Sequence, residues 1–470
     1  MDTMTPQSRL HRALNLLKYI SKPSPIVTIE LDKNTYGLEN AYTTFDRIQG
    51  TVIITVDSET PLENISITFE GTAKVSIGRE TCTLSNTEAT QTFLQLKQPV
   101  TRGIDSVPKI LQPGCSYKLP FTFVVPQYLP CQSCNHNISC SDLKQAHLQL
   151  PPTLDDPKLG HGKRPTLDYV SSGKCHISYR VRVVLSKGSI PGTTRRTRLV
   201  DCAKSVRVLP ISMHAPHPGL PIVSSDTYTQ MEQSLSQGFA QPGLGELITE
   251  ASHIPPISLH YPIDKDGAHT AVRLNLRFNP TIDAAPPQLK KASAKFQIST
   301  FYSPVPWEDY PSWTDRGLVN GWDRGAFTDT FPIMAFSMGS VQWVKHQDMG
   351  DEHRIQGHDG ESLSDHTAPR NGSRSYYTAS IVLPIVLPPR MTSIPTFHSC
   401  LISRTYNINL RLSFHTPKPA LQTASTTIKV PLMLQYVSNN HHTSLVHEES
   451  DASDSTVMNV LPPPEYTATA

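Results

Sequence analysis

Apolar and polar residues alternate with a period of two through most of the chain. In one segment Ile65, Ile67 and Phe69 share a face, and the residues between and after them, including Glu70, are polar. Because successive side chains of a strand point to opposite sides, the pattern predicts a strand with one buried and one wet face. Three longer segments repeat it, with apolar positions at Ile177, Tyr179, Val181, Val183 and Leu185, at Val272, Leu274, Leu276 and Phe278, and at Tyr406, Ile408, Leu410, Leu412 and Phe414.

Antiparallel sheets with one solvated face give this alternation, whereas parallel sheets give nearly continuous apolar runs. The strands do not alternate regularly with helical segments, so repeated strand–helix–strand units are not expected. The chain is therefore predicted to be an all-β protein built from antiparallel sheets.

A proline-rich segment divides the predicted strands into two groups. The segment 209–225 holds four prolines and a glycine between residues 210 and 221, which suits a linker and not a sheet interior. We predict a first β-sandwich over 26–209, a linker over 210–219 and a second β-sandwich over 220–437. Within the second, the polar stretch 345–375, rich in Gly, Asp and His, is expected to be a disordered insertion.

The two ends of the chain differ from its body. In the N-terminal segment 1–25, apolar residues between 10 and 20 approximate helical spacing beside basic ones, which is compatible with a short amphipathic helix or a frayed end. The segment 438–470 has no Lys or Arg and carries Glu448, Glu449 and two aspartates. It is predicted to be a disordered acidic tail.

Composition and charge exclude several classes of function. The 470 residues include 41 prolines, a content that disfavours helical bundles and coiled coils. The formal charge is +2, so no global field would recruit nucleic acid. The sequence begins without an apolar leader and holds no long apolar run, which favours a cytoplasmic protein whose eight cysteines are reduced thiols.

A short linear motif stands near the end of the acidic tail. Pro463, Pro464, Glu465 and Tyr466 form a P-P-x-Y sequence. Consecutive prolines favour the polyproline II helix, which WW domains bind in an aromatic groove while the tyrosine fills a neighbouring pocket. An accessible tail suits such a motif, although a Pro-rich spacer would also contain it by chance.

A local excess of basic residues lies between Lys174 and Arg207, where nine basic residues accompany a single acid, Asp201. Such a cluster could bind an acidic cargo segment or anionic lipid, or it could be an ordinary solvated strand face. The candidate residues for contact are Arg180, Arg182, Arg195, Arg196 and Arg198.

One constellation has the residue types of a metal site. The segment 131–147 contains three cysteines and two histidines, namely Cys131, Cys134, His136, Cys140 and His147. Structural zinc needs four ligands, and the sequence shows neither a second C-x-x-C nor a paired histidine motif. We therefore expect reduced thiols and neither a metal site nor a cofactor, and whether this loop binds metal is left open.

Enzyme signatures are missing from the sequence. It contains no nucleophile elbow, zinc-protease motif, phosphate-binding P-loop or dinucleotide fingerprint. A catalytic site built from distant residues would leave no such signature, so a hydrolase of sandwich fold stays as a third alternative. No catalytic residue is predicted.

Five segments together resemble the arrestins, and in particular the α-arrestins of filamentous fungi. They are D-R-I-Q-G-T-V at 46–52, L-Q-P-G-C-S-Y-K-L-P-F-T-F-V-V-P at 111–126, I-S-Y-R-V-R-V at 177–183, P-T-F-H-S-C-L-I-S-R-T-Y at 395–406 and I-K-V-P-L at 428–432. Their order and spacing carry the resemblance, which extends over roughly residues 26 to 437.

The resemblance implies two tandem immunoglobulin-like β-sandwiches of the arrestin fold without an active site. It further implies a cytosolic adaptor, peripheral at the plasma membrane and endosomes, that holds transporter or receptor cargo. Pro463, Pro464 and Tyr466 would contact a WW-domain HECT-type ubiquitin ligase, and cargo would be ubiquitylated and internalised. Arg180 and Arg182 would contact cargo or anionic lipid. The chain has one P-P-x-Y motif where many such adaptors have several.

A second hypothesis assigns the same fold to a protein that does not recruit a ubiquitin ligase. In that case the chain would be a ubiquitin-independent endosomal sorting scaffold, with stable partner subunits and no dependence on Tyr466.

Overall fold

A computed structural model describes most of the predicted sandwich regions. The described residues are 24–32, 41–78, 87–99, 108–159, 173–187, 197–212, 230–235, 244–259, 267–281, 284–319, 323–339, 341–347, 375–387, 394–415, 424–437 and 467–468. The predicted N-terminal helix, most of the 345–375 insertion and nearly all of the 438–470 tail lie outside them.

The first part of the chain forms a sandwich of two antiparallel sheets. Its strands are β1 (Ile26–Leu31), β2 (Arg47–Thr55), β3 (Thr60–Pro61), β4 (Asn64–Ile77), β5 (Thr87–Lys97), β6 (Ile110–Leu111), β7 (Ser116–Val124), β8 (Cys175–Lys187) and β9 (Thr197–Val206). One sheet has the order β1-β2-β7 and the other β5-β4-β8-β9, while β3 pairs with β6. The segment between β7 and β8 adds a short 3-10 helix (Cys131–Ser133) and helix α1 (Ser141–His147).

The second part forms another two-sheet sandwich. Its elements are β10 (Gln230–Leu235), β11 (Gly245–Ala251), β12 (Ile257–Leu259), β13 (Ala268–Pro280), β14 (Gln288–Tyr302), α2 (Arg316–Val319), β15 (Gly325–Ser337), β16 (Val344–Gln347), β17 (Ser375–Leu387), β18 (Phe397–His398), β19 (Ile402–His415), β20 (Ala424–Leu432) and β21 (Leu434–Tyr436). One sheet has the order β10-β11-β13-β17-β16; in the other, β15-β14-β19-β18, strand β20 also pairs with β19. The β12–β21 pair is parallel.

The predicted all-β architecture of two antiparallel sandwiches is confirmed, and so is the alternation on which it was based. Ile177, Tyr179 and Val181 are fully buried in β8, and so is Phe69 in β4. In the second sandwich, Val272 and Leu274 of β13 face the strands of the opposite sheet within one apolar core. Period-two patterning therefore located the core faces correctly, because a strand presents alternate residues to the same side.

Pro384 interrupts the longest apolar run and nevertheless lies inside β17. Strand β17 pairs with β13 from Tyr377 to Leu387, but its other edge pairs with β16 only from Ser375 to Thr378. A proline lacks the N–H that a second neighbour would need, so it is tolerated at an edge. Val382 and Val386 on the same stretch point outwards and are half-exposed.

The chain passes from one sandwich to the other at the start of the predicted linker. Leu209 donates its backbone N–H to Tyr42 in the first sandwich, and Ser212 donates to Tyr436 in the second, both over 2.8 Å. Residues 213–219 of the predicted linker are outside the described residues. Among the described residues, no helix is long and apolar enough to span a membrane.

Candidate functional site

The first candidate site begins in the segment between β7 and β8. Cys134 directly follows the 3-10 helix, His136 lies two residues further on, and His147 is the last residue of α1. Ser133 anchors the segment to β5: its hydroxyl donates to the carbonyl of Phe93 over 2.6 Å, and its carbonyl accepts from Gln91 over 3.1 Å. The first sandwich therefore holds this segment in place.

A fourth side chain comes from the second sandwich. Cys400 lies in the turn between β18 and β19, and its carbonyl accepts a hydrogen bond from the backbone N–H of Trp307 over 2.9 Å. Ser399 closes the turn, since its hydroxyl donates to the carbonyl of Ile402 over 2.7 Å. Hydrogen bonds on both sides thus fix the position of Cys400.

These four side chains form a compact group, which we call the Cys/His cluster: Cys134, His136, His147 and Cys400. One sulfur or nitrogen atom from each lies within 4.8 Å of the others. The Cys134 Sγ atom is 3.4 Å from Nε2 of His136 and 3.7 Å from Nδ1 of His147. The cluster spans the two sandwiches, because three members belong to the first and Cys400 to the second.

Burial shifts the pKa of three members of the Cys/His cluster, namely Cys134, His147 and Cys400. Cys134, His147 and Cys400 are at most 5% exposed. Removal from water lowers the pKa of His147 to about 3, with the neighbouring His136 and His398 adding to the effect. Burial also raises the pKa of the Cys134 thiol, and that of Cys400 to about 12. At neutral pH His147 is therefore an uncharged imidazole with a lone pair available.

Sequence reasoning named part of this cluster and missed the rest. Cys131 and Cys140 are exposed and lie outside the cluster, while Cys134 is buried in it. The expectation of no metal site rested on a missing fourth ligand, and the fold supplies Cys400 at that place. Nothing local in the sequence marks Cys400, because its partners precede it by more than half the length of the chain.

The second candidate site lies on β8 and its neighbours. The Arg180 guanidinium donates to Oε2 of Glu70 over 2.9 and 3.0 Å. The Arg182 guanidinium contacts Oε1 of Glu70 at 3.4 Å. It also donates two hydrogen bonds to the carboxylate of Asp201, over 2.6 and 2.7 Å. Arg198 also reaches Asp201 at 2.6 Å. We call these five residues the arginine–carboxylate network.

The network corrects the expectation that Glu70 faces water. Glu70 lies on the polar face of β4, as predicted, but only 3% of its side chain is exposed. The strand register places Arg180 directly opposite Glu70, so the long side chains of β8 cover it. Thr68 and Gln95 donate further hydrogen bonds to the same carboxylate.

Much of the positive charge predicted on this face is neutralised within the network. The hydrogen bond from Arg182 holds the pKa of Asp201 below its ordinary value, so Asp201 is ionised at neutral pH. Arg180 and Arg182 are 30% and 25% exposed, whereas Arg198 is 60% exposed. Arg195 and Arg196 lie outside the described residues. Of the described candidates, Arg198 is thus the most accessible to a partner.

The predicted WW-binding residues Pro463, Pro464 and Tyr466 lie outside the described residues. The two residues that follow, Thr467–Ala468, form strand β22, which pairs antiparallel with Lys97 and Leu96 of β5. The motif therefore directly precedes a point at which the tail pairs with the edge of the first sandwich.

A groove beside α1 bears on the alternative of a hydrolase. It is lined by Tyr310, whose ring meets that of His398 edge-on at 4.9 Å, and by Lys429. Burial raises the pKa of Tyr310 to about 12 and lowers that of His398 to about 4. General acid–base catalysis favours a pKa near the working pH, and burial moves the pKa of both Tyr310 and His398 away from neutral pH.

The sequence of the first sandwich is similar to that of a known family. Residues 27–201 match the family model described as Arrestin (or S-antigen), N-terminal domain. No curated protein matches the chain. The match begins in β1 and ends within β9, so it includes both sheets of the sandwich and the three cluster residues before β8. Together with the two-sandwich architecture, it supports membership of the chain in the arrestin superfamily.

Proposed function

We propose that the chain is an α-arrestin-like adaptor that recruits a WW-domain HECT-type ubiquitin ligase to plasma-membrane transporters or receptors, for ubiquitylation and endocytosis. The observation that carries the proposal is the arrestin N-terminal domain on the first sandwich. Arrestin-family proteins are generally adaptors without catalytic activity. Such an adaptor works in the cytosol and at the surfaces of the plasma membrane and endosomes.

The ligase arm of the proposal is supported by Pro463, Pro464 and Tyr466. A polyproline II segment binds a WW groove with little ordering cost, and the tyrosine then acts as an aromatic anchor. A single motif lacks the avidity of repeated motifs, so its affinity depends strongly on that one anchor.

We expect Tyr466→Ala to weaken binding of the tail to a HECT-ligase WW domain by at least about tenfold, because loss of an aromatic anchor commonly costs about 2 kcal/mol or more, and about 1.4 kcal/mol is tenfold in affinity. A peptide of residues 444–470 and the full chain would be titrated against the WW domain by calorimetry. Met458→Ala, upstream of the motif, is the matched control. The full chain is included because Thr467–Ala468 pair with β5.

Failure of both the peptide and the full chain to bind WW domains would reject the ligase arm. Equal binding by the wild type and Tyr466→Ala would reject the assigned anchor. Either result would leave the arrestin body in place and favour the ubiquitin-independent sorting scaffold.

The cargo or lipid arm is supported by Arg198 with its sequence neighbours Arg195 and Arg196. Arg198 shares Asp201 with Arg182 but keeps 60% of its side chain in solvent. Near an anionic surface a basic residue contributes about 1 kcal/mol, which corresponds to roughly fivefold in affinity.

We expect Arg198→Ala to weaken sedimentation of the full chain with phosphatidylserine-containing vesicles about fivefold. Arg411→Ala is the matched control, since Arg411 is an exposed strand arginine of the second sandwich that contacts Ser425. Equal binding of the chain to neutral and anionic vesicles would rule out the lipid contact.

A further inference from the structure

We propose that the Cys/His cluster is a structural zinc site that joins the two sandwiches. The ligands would be the Sγ atoms of Cys134 and Cys400, Nε2 of His136 and a ring nitrogen of His147. Nothing in the proposed adaptor function requires this site, so the two proposals stand or fall separately.

The separations between the cluster atoms fit tetrahedral zinc. Zinc–sulfur bonds of about 2.3 Å and zinc–nitrogen bonds of about 2.0–2.1 Å, at tetrahedral angles, place sulfur and nitrogen about 3.6 Å apart. The observed distances from Cys134 Sγ to His136 and to His147 are 3.4 and 3.7 Å. All four donor atoms also lie within 4.8 Å of one another. A single cation can therefore reach all four with small adjustments of the side chains.

The orientation of His136 suits a ligand. Its Nδ1 donates a hydrogen bond to the backbone carbonyl of Asn137 over 3.0 Å. That bond fixes the tautomer, so Nε2 carries the lone pair and faces Cys134. Histidines that bind zinc usually hold their second nitrogen in this way.

His147 gives a second, independent indication. It is 1% exposed; its Nδ1 atom faces Cys134 Sγ at 3.7 Å, and its Nε2 atom has no hydrogen-bond partner among the described residues. Since no described protein group donates a proton to Nε2, the ring can carry its proton on Nε2 and present the lone pair of Nδ1 to the cluster. The imidazole lies beside that of His136, with ring centroids 5.4 Å apart, and one nitrogen of each ring belongs to the group of donor atoms.

The donor set identifies the class of metal and its role. Two thiolates and two imidazoles in tetrahedral arrangement are typical of zinc, since hard cations such as magnesium and calcium prefer oxygen ligands. Four protein ligands leave no open position for water or substrate, so the site would be structural and not catalytic.

The position of the ligands determines what the metal would do. Three of them lie between β7 and β8 of the first sandwich, and Cys400 lies in the β18–β19 turn of the second. One further contact crosses nearby, from the backbone N–H of Ser139 to the carbonyl of Glu308 over 2.9 Å. Apolar residues of the second sandwich, including Phe397 and Leu401, also pack into the core of the first. Zinc would add a bonded link beside these contacts and hold the mutual orientation of the two sandwiches more firmly.

The test is the zinc content of the full chain, purified under reducing conditions and measured by mass spectrometry of the metal. We expect about one zinc per wild-type chain. Cys400→Ser should lose it, whereas Cys400→His, which restores a ligand, should regain a large part of it. Cys131→Ser and Cys140→Ser are matched controls, because both cysteines are exposed and outside the cluster, and both variants should keep the metal.

A second measurement guards against variants that fail to fold. Wild-type chain stripped with a chelator would be titrated with cobalt(II), which absorbs visible light strongly in tetrahedral sites with thiolate ligands. Cys400→Ser should weaken cobalt binding by at least about 100-fold, while Cys131→Ser should leave it unchanged. Hydrogen exchange should rise in 131–147 and 397–402 of the stripped chain, and not in the core strand β13.

Two outcomes would overturn the proposal. One is a wild-type chain that carries no zinc and takes up no cobalt. The other is a disulfide between Cys134 and Cys400 in the reduced preparation, shown by thiol counting, since it would remove both sulfur ligands.

Discussion

Phe69→Ala is expected to cost the first sandwich about 3–5 kcal/mol of unfolding free energy, the largest loss of stability expected for any substitution named for this chain. Phe69 is fully buried on β4. Its ring lies 6.0 Å from that of Phe123 in the opposite sheet and 5.9 Å from that of Tyr179 on the neighbouring strand. Removing the ring would open a cavity at the point where the two sheets meet.

The matched control for Phe69 is Phe45→Ala. Phe45 is 52% exposed, so its loss should change stability by no more than about 0.5 kcal/mol. The measurement is urea unfolding of the full chain, followed by hydrogen exchange of the most protected amides in β4 and β8. A cost for Phe69→Ala close to that for Phe45→Ala would show that the sheets do not pack through Phe69.

Glu70→Ala, one residue further along β4, is expected to cost about 2–3 kcal/mol for a different reason. It would leave the Arg180 and Arg182 guanidiniums side by side without the buried carboxylate that both contact. Breaking a fully buried ion pair from one side costs about 3–5 kcal/mol, and the partial exposure of both arginines lowers that figure. Thr68 and Gln95 would also lose an acceptor.

A matched control for Glu70 lies on the same sheet. Glu88 contacts Lys74 at 3.1 Å, but both side chains are largely exposed. Exposed pairs contribute about 0–1 kcal/mol, so Glu88→Ala should have a small effect in the same unfolding experiment. If Glu70→Ala cost no more than Glu88→Ala, the network would be a surface feature without a role in stability.

Close packing explains two glycines of the first sandwich. Gly50 lies in the D-R-I-Q-G-T-V segment of β2, and a Cβ atom there would lie 2.1 Å from the carbonyl oxygen of Glu30. Gly71 packs against the ring of Phe93. A Cβ atom at this position would lie 2.4 Å from that ring and would clash with it. Sequence comparison can identify such glycines, but only the packed neighbours explain them.

The prediction of the strands succeeded because their signal is local. Alternation in β8, β13 and β19 is fixed by the geometry of an extended chain, whose successive side chains point to opposite sides. The all-β class and the core faces could therefore be predicted without knowledge of any long-range contact.

The candidate sites were predicted only in part because each depends on partners distant in sequence. The basic residues around Arg180 were recognised, but their neutralisation by Glu70 follows from the register of β4 against β8. Cys134, His136 and His147 were noticed as a local group, whereas Cys400 joins them through the packing of one sandwich against the other.

The sequence by itself thus determined the antiparallel strands, their buried faces and the P-P-E-Y motif of the tail, because each depends only on residues that are close together in the sequence. Tertiary structure alone decided that Glu70 is buried and that four cysteine and histidine side chains converge between the sandwiches. The physical reason is that strand register and domain packing minimise the free energy of the whole chain. They therefore cannot be predicted from the residues of any short segment.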